Sequence, residues 1–330
     1  MENYVAGLPF PLLDPNDPQV AAKVMWNFSY RPQYTDDADI REVEMASNSA
    51  TSDGPTDPEG AVQASDIALA HSRSRNRRRS KDWAFCATAT STQAKKTTRG
   101  LTFPECGECD ACPRASYPMC YRRLRRHTVS EGGGAGATFV NNLDPDSAFG
   151  FAAKIEDFDY RLLGVRPMLA SVHAANVPAK PCQFDNHRSV CPENWEMREI
   201  YVIEANAKPL SWHQMIGSDG LLIQKRIFFI DSELWFITAS DQYDREGKLW
   251  KTIATFNTYR DQPVPDAKVA IFPFKRIFQT ALIDEDLQSG YSTVVYMPGH
   301  ESDDRECWYI NMGVITKQWL DPHRMEMIAR

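Results

Sequence analysis

The chain has 330 residues, 42% of them hydrophobic and 25% charged, with a net charge of -7. That is enough apolar material for one large β domain or two smaller ones, and the acidic balance excludes a generic polyanion binder. No run of 18 apolar residues occurs, so no transmembrane helix is expected.

Tyr4 to Pro18 is a Pro/Gly-rich loop. The opening segment has no basic n-region and no long apolar core, so it does not read as a signal peptide. Two explanations stay open: a cytosolic protein, or a fragment or mis-started form of an exported one. Asp17-Pro18 is a helix-start signal, with Asp17 as N-cap and Pro18 in the first turn. Val20, Val24 and Phe28 fall on one face beside Ala21 and Met25, which predicts an amphipathic helix ending near Tyr30.

The next stretch changes character. Asp36 to Ala70 carries nine acidic residues and one basic residue, and His71 to His127 carries fourteen Arg/Lys against four Asp/Glu. Large apolar residues are sparse and no period of two or 3.6 is sustained, so residues 34–116 are expected to be a disordered insertion. Domain boundaries follow from this: residues 1–33 as a loop and helix, 34–116 as the insertion, and 117–330 as an antiparallel β domain.

Two features of the charged stretch carry chemistry. Cys106, Cys109, Cys112 and Cys120 have the spacing C-x2-C-x2-C-x7-C, which matches iron–sulfur and zinc patterns only in part. A metal or iron–sulfur site is therefore one alternative function, weighed against a loop of ordinary thiols. The Arg73–Lys81 tract is a second alternative, a nucleic-acid contact. It contains no aromatic residue for stacking, and a solvated tract is the simpler expectation, so no nucleic-acid partner is expected.

Phe151 to Gly164 reads as a short helix or strand, and Pro167 to Val177 as a strand. Cys182 and Cys191 bracket the polar loop CQFDNHRSVC and are a disulfide candidate if the compartment is oxidising. From Met197 onward the pattern is strand-like. Glu199–Ala205 comes first, then Ile227–Ile230, Leu234–Tyr243 and Lys248–Tyr259 as a meander. The meander turns at Asp231-Ser232-Glu233 and at Asp244–Gly247, where Gly247 is free to take positive φ. Lys268–Phe274, Ile277–Ile283 and Tyr291–Met297 follow as strands, and Asp321-Pro322 starts a short C-terminal helix.

No nucleophile elbow, P-loop, dinucleotide fingerprint or zinc-protease motif occurs, the seven histidines share no metal spacing, and no catalytic pair is fixed. The expectation is a non-enzyme without a cofactor. The meander has apolar residues on both faces, which fits a sheet covered on both sides or one lining an apolar cavity. The candidate ligand-binding face is Phe228, Ile230, Trp235, Ile237, Trp250 and Phe256.

Three sets of motifs carry a family resemblance. Val5 to Arg31 resembles a "GxPFP … WN … R" pattern, Arg122 to Gly164 a basic strand leading to "DF-[WY]-LLG", and Glu199 to Lys251 a "R-VYV-E … R-YID … YDR-G-LWK" run. Together they resemble the Domain of Unknown Function 1329 family, over Val5 to Arg31 and Tyr117 to Arg330. That resemblance implies a mainly β fold, a curved antiparallel half-barrel with a few helices on its concave side, like the Lol lipoprotein carriers. It also implies a periplasmic or outer-membrane setting, a lipid or other apolar small molecule as ligand, and a resistance-nodulation-division type transporter as partner. It carries over no catalytic residue. Residues 34–116 depart from the family's strands, as a divergent insertion or a shifted reading frame would.

Overall fold

The structure is a computed structural model. It describes residues 8–31, 37–49, 63–71, 83–89, 145–151, 155–176, 179–180, 182–185, 189–191, 193–208, 223–264, 268–269, 275–298, 301–302, 305–310 and 312. The Cys106–Cys120 cluster, the Arg73–Lys81 tract and the expected C-terminal helix lie outside these residues.

Among the described residues there is one α-helix, α1 (Val20–Tyr30). It begins later than the Asp17-Pro18 signal implies. Gln19 occupies the N-cap position, and the Asp17 carboxylate accepts the Gln19 N–H at 2.8 Å, so Asp17 steers the chain into the first turn from outside. Lys23 reaches back to the same carboxylate. The inward face is the one the spacing predicts: Val20, Ala21, Val24, Met25 and Phe28 are buried. Asn27 is buried with them. Its Oδ1 accepts the Phe10 N–H at 3.0 Å and its Nδ2 donates to the Phe10 carbonyl at 2.8 Å. One amide thereby satisfies both backbone groups of Phe10 and ties the loop to the helix.

The strands are β1 (Asp37–Ser49), β2 (Gln63–His71), β3 (Trp83–Ala89), β4 (Phe158–Ala170), β5 (Glu196–Ala207), β6 (Lys225–Asp231), β7 (Ile237–Tyr243), β8 (Leu249–Arg260), β9 (Lys268–Val269), β10 (Arg276–Asp286), β11 (Tyr291–Tyr296), β12 (Glu301–Ser302), β13 (Arg305–Glu306) and β14 (Trp308–Ile310). Seven of them, in the order β11-β10-β8-β7-β6-β5-β4, form an open antiparallel meander, so the mainly β, half-barrel expectation holds. The chain beyond β4 bends across to the end of β8, where Ser171 bridges Phe256 and His173 bridges Thr258. The sheet is therefore curled at that end. Under the curl, Ala170, Val172, Phe236 and Ile277 pack together.

The expectation that 34–116 lacks regular structure is not what the described residues show. β1 pairs with β11 and β14, β9 pairs with β14, β2 pairs with β1, and β3 pairs with β2, which carries the sheet to twelve strands. The physical reason is that a strand added at a sheet edge is held by backbone hydrogen bonds. Those bonds do not require the apolar period on which the sequence reading depended.

β7 starts at Ile237 rather than Leu234. Asp231 organises the turn before it: its Oδ1 accepts the N–H groups of Glu233 at 2.9 Å and Leu234 at 2.8 Å. Trp235 then takes φ 55°, a left-handed conformation unusual for a bulky residue. The β7–β8 turn is as expected, with Gly247 at φ 77°.

Candidate ligand-binding face

Alternation along each strand and the register between strands define one inner face. A row crosses the sheet as Leu162↔Ile203↔Phe228↔Ser240↔Ile253. Next to it on the same face stand Tyr201 on β5, Ile230 on β6 and Ile237 on β7, where a bulge keeps Ile230 and Ile237 opposite one another. The inner face of α1 lies against these strands. Ala21, Val24, Met25 and Phe28 join Ile203, Phe228, Ile230 and Ile237 in one cluster. Phe151 adds an edge-on contact to Phe228, with ring centroids 4.9 Å apart.

The rim of this cluster is aromatic and only half buried. Trp26, Leu162 and Tyr201 pack on its edge. Trp235 stacks on Tyr201, with centroids 5.8 Å apart and planes 18° from parallel. The turn that presents Trp235 is braced from outside, since Arg198 Nε donates to Asp231 Oδ2 at 2.7 Å and its Nη2 to Glu233 at 2.8 Å. The Asp231 carboxylate beside it raises the Arg198 pKa further, so the guanidinium keeps its charge.

Of the six residues named from sequence, the structure brings four together here: Phe228, Ile230, Trp235 and Ile237. Phe256 belongs to the opposite face, in a cluster with Ala179, Val190, Ala281, Ile283, Val294 and Tyr296. Trp250 is buried elsewhere and donates its Nε1–H to Asp286 Oδ2 at 3.1 Å. The grouping fails to hold as one set for two reasons. The bulge between Phe229 and Ile230 skips Thr238 and turns Ile237 inward, out of phase with the rest of β7. On β8 the inward position opposite Ser240 is Ile253, which leaves Phe256 on the other face.

Cys182 and Cys191 form a disulfide, with Cα atoms 4.8 Å apart. It staples the loop whose Ala179 and Val190 cover the outer-face cluster. Within the described residues, no group of three or more His, Cys, Asp or Glu forms a metal-ligating set.

A polar row lies beside the apolar one, and the sequence reading missed it. Its members are Tyr160↔Ala205↔Arg226↔Gln242↔Lys251↔Asp286. Arg226 is 2% exposed and Gln242 fully buried. Arg226 Nη1 and Gln242 Nε2 both donate to Ser147 Oγ, at 3.1 and 3.0 Å. Burial pushes the Tyr160 hydroxyl well above its usual pKa; the Glu156 carboxylate adds to the rise, and Arg226 opposes it. The signal was present in the pattern, since Arg226 holds the inward position two before Phe228 and four before Ile230.

A family model for "Protein of unknown function (DUF1329)" matches residues 1–308. No curated protein matches the chain. Among solved structures, a DUF1329 family protein from Desulfovibrio piger is 13% identical, with a TM-score of 0.55, over 94% of this chain and 100% of that one. A putative outer membrane lipoprotein-sorting protein domain from Vibrio parahaemolyticus is 12% identical, with a TM-score of 0.53, over the same shares. A LolA superfamily protein from Nitrosomonas europaea is 12% identical, with a TM-score of 0.41, over 86% of this chain and 95% of that one. At such identities the first two likenesses show a shared fold. The family match spans residues 34–116, which the motifs alone did not reach, and on that match this chain belongs to the DUF1329 family.

Proposed function

We propose that this chain is a non-enzymatic envelope protein that binds a lipid-like apolar molecule between α1 and the inner face of the sheet. The observation that carries the reading is the cluster under α1. It spans β4 to β7, it is apolar, and in the described residues a single α-helix covers it, with the half-buried aromatics Trp26 and Tyr201 at its rim and Trp235 buried against Tyr201. A ligand chain that displaces or lifts α1 gains the same burial the helix now supplies, about 0.8 kcal/mol per CH2. Phe228, Ile230, Trp235 and Ile237 are the lining residues of this reading. The α1 segment of residues 1–33 acts as the cover, and the β domain of 117–330 as the cradle. The Vibrio relative, a putative outer membrane lipoprotein-sorting protein domain, supports an envelope setting. A transporter of the resistance-nodulation-division type is the partner that the family resemblance suggests.

The test is titration of the purified full chain with the neutral apolar fluorophore N-phenyl-1-naphthylamine. Saturable enhancement that a long-chain lipid displaces supports the reading. A chain that ignores the fluorophore and the lipid alike rules it out.

A further inference from the structure

We propose that the polar row at Arg226 is a head-group subsite, which makes the ligand an amphiphile with an acidic oxyanion head, a carboxylate or a phosphate, on an apolar chain. The inference rests on the apolar-ligand reading above and adds the chemistry of the ligand's polar end.

The geometry places a cation at the end of the apolar face. Arg226, Phe228 and Ile230 alternate along β6 with their side chains on the same side, and the guanidinium carbon lies 5.9 Å from the Phe151 ring centroid. An amphiphile lying along Ile230 and Phe228 therefore brings its head to Arg226. The small residue Ala205 stands between Arg226 and Tyr160 in the cross-strand row, so the hydroxyl of Tyr160 and the guanidinium share one side of the sheet with no bulky group on the strand between them.

The polar groups around Arg226 have capacity to spare. Tyr160 Oη, Ser240 Oγ and Gln242 Oε1 are buried without a hydrogen-bond partner. Buried polar groups are as a rule hydrogen-bonded, so three such atoms round one buried cation call for a partner. Tyr160 and Ser240 both have an O–H to donate, which with the guanidinium suits an acceptor-rich anion. Gln242 Oε1 accepts only, and suits the remaining proton of a singly protonated phosphate. Further along the two rows Lys251 faces Asp286, with Asp284 next to Asp286 on the same face. The second cation thus already has carboxylates beside it, while Arg226 stands next to Phe228 on the strand that lines the apolar face.

The test is competition against N-phenyl-1-naphthylamine on the full chain, with hexadecanoate, hexadecyl phosphate, hexadecan-1-ol and inorganic phosphate as competitors. A charge-assisted hydrogen bond in a buried site predicts that the two acids displace the fluorophore about tenfold or more better than the alcohol. Arg226→Gln should abolish that preference. Tyr160→Phe removes a hydroxyl that no protein group holds, so the fold stays intact and the preference for the acids over the alcohol should shrink by about threefold or more. Inorganic phosphate alone should displace nothing. Equal displacement by acids and alcohol, or an unaltered preference in Tyr160→Phe and Arg226→Gln, overturns the head-group subsite and leaves the apolar site standing. Competition by inorganic phosphate alone overturns the amphiphile in favour of a free-anion site. Displacement by none of the four overturns both readings.

Discussion

Gly150 gives the sharpest check on how the inner face is assembled. It ends the short 3-10 helix Pro145–Gly150, which packs on β7 and β8, and its φ is +91°. A Cβ built there would sit 2.8 Å from both Cβ and Cγ2 of Ile237. Carbon atoms prefer about 3.5–4.0 Å, so Gly150→Ala forces the helix or Ile237 to move. The left-handed backbone costs an L-residue about 1–2 kcal/mol, and overpacking a tight site costs about 1–3 kcal/mol. The variant should lose about 2–5 kcal/mol. At about 2–3 °C per kcal/mol for a domain of this size, Tm should fall by roughly 4–15 °C in a far-UV circular dichroism melt. Ile237→Ala in the Gly150→Ala background should relieve the clash, so the pair should lose less than the sum of the singles. A Gly150→Ala protein that melts with the wild type, or strict additivity in the pair, would mean that Gly150 does not abut Ile237.

Three further outcomes follow from other contacts. Asn27→Ala leaves the Phe10 N–H and carbonyl without their shared amide and should cost about 2–3 kcal/mol in urea unfolding; a loss under about 0.5 kcal/mol would refute that tie. Cys182→Ser opens a loop with a sequence separation of 9 and should cost about 2–3 kcal/mol; reductant should lower the wild-type Tm and leave the variant's alone, and a wild type indifferent to reductant would count against the bond. Burial pushes the Asp286 carboxyl up, but the N–H and hydroxyl of Ser289, Trp250 Nε1–H and the Gln288 N–H together hold it below its usual pKa. A lowered folded-state pKa stabilises above the unfolded value and is lost as pH falls through it. Unfolding free energy should therefore drop below about pH 4, and Asp286→Asn should flatten that drop; parallel pH profiles would refute it.

Much of the fold was legible because its periods are clean. Val20, Val24 and Phe28 recur at four, and the buried positions Arg226, Phe228 and Ile230 recur at two. What was not legible has local causes. The Trp235 turn takes a backbone conformation that no periodic count anticipates, so β7 begins later than the apolar run suggests, and the bulge that skips Thr238 puts Ile237 on the face opposite Phe256. The return of Ser171 and His173 to β8 is a long-range pairing, with no local trace in the chain. β1 to β3 depend on ladder bonds that a sequence rich in charge and small residues does not advertise. Arg226 falls just before the strand expected at Ile227–Ile230, so alternation assigned it no face. Its meaning came only from the cross-strand row with Tyr160 and Gln242.

The central claim is that the face under α1 holds an apolar ligand. Native mass spectrometry of the full chain after incubation with a total lipid extract, followed by organic extraction of the isolated complex, tests it most directly. The account predicts a stoichiometric adduct of lipid mass, lost when Ile230 and Ile237 are both replaced by Asp in a variant that keeps its β-sheet circular dichroism. A wild-type chain that stays at its bare mass, or an adduct the double variant retains, would contradict it.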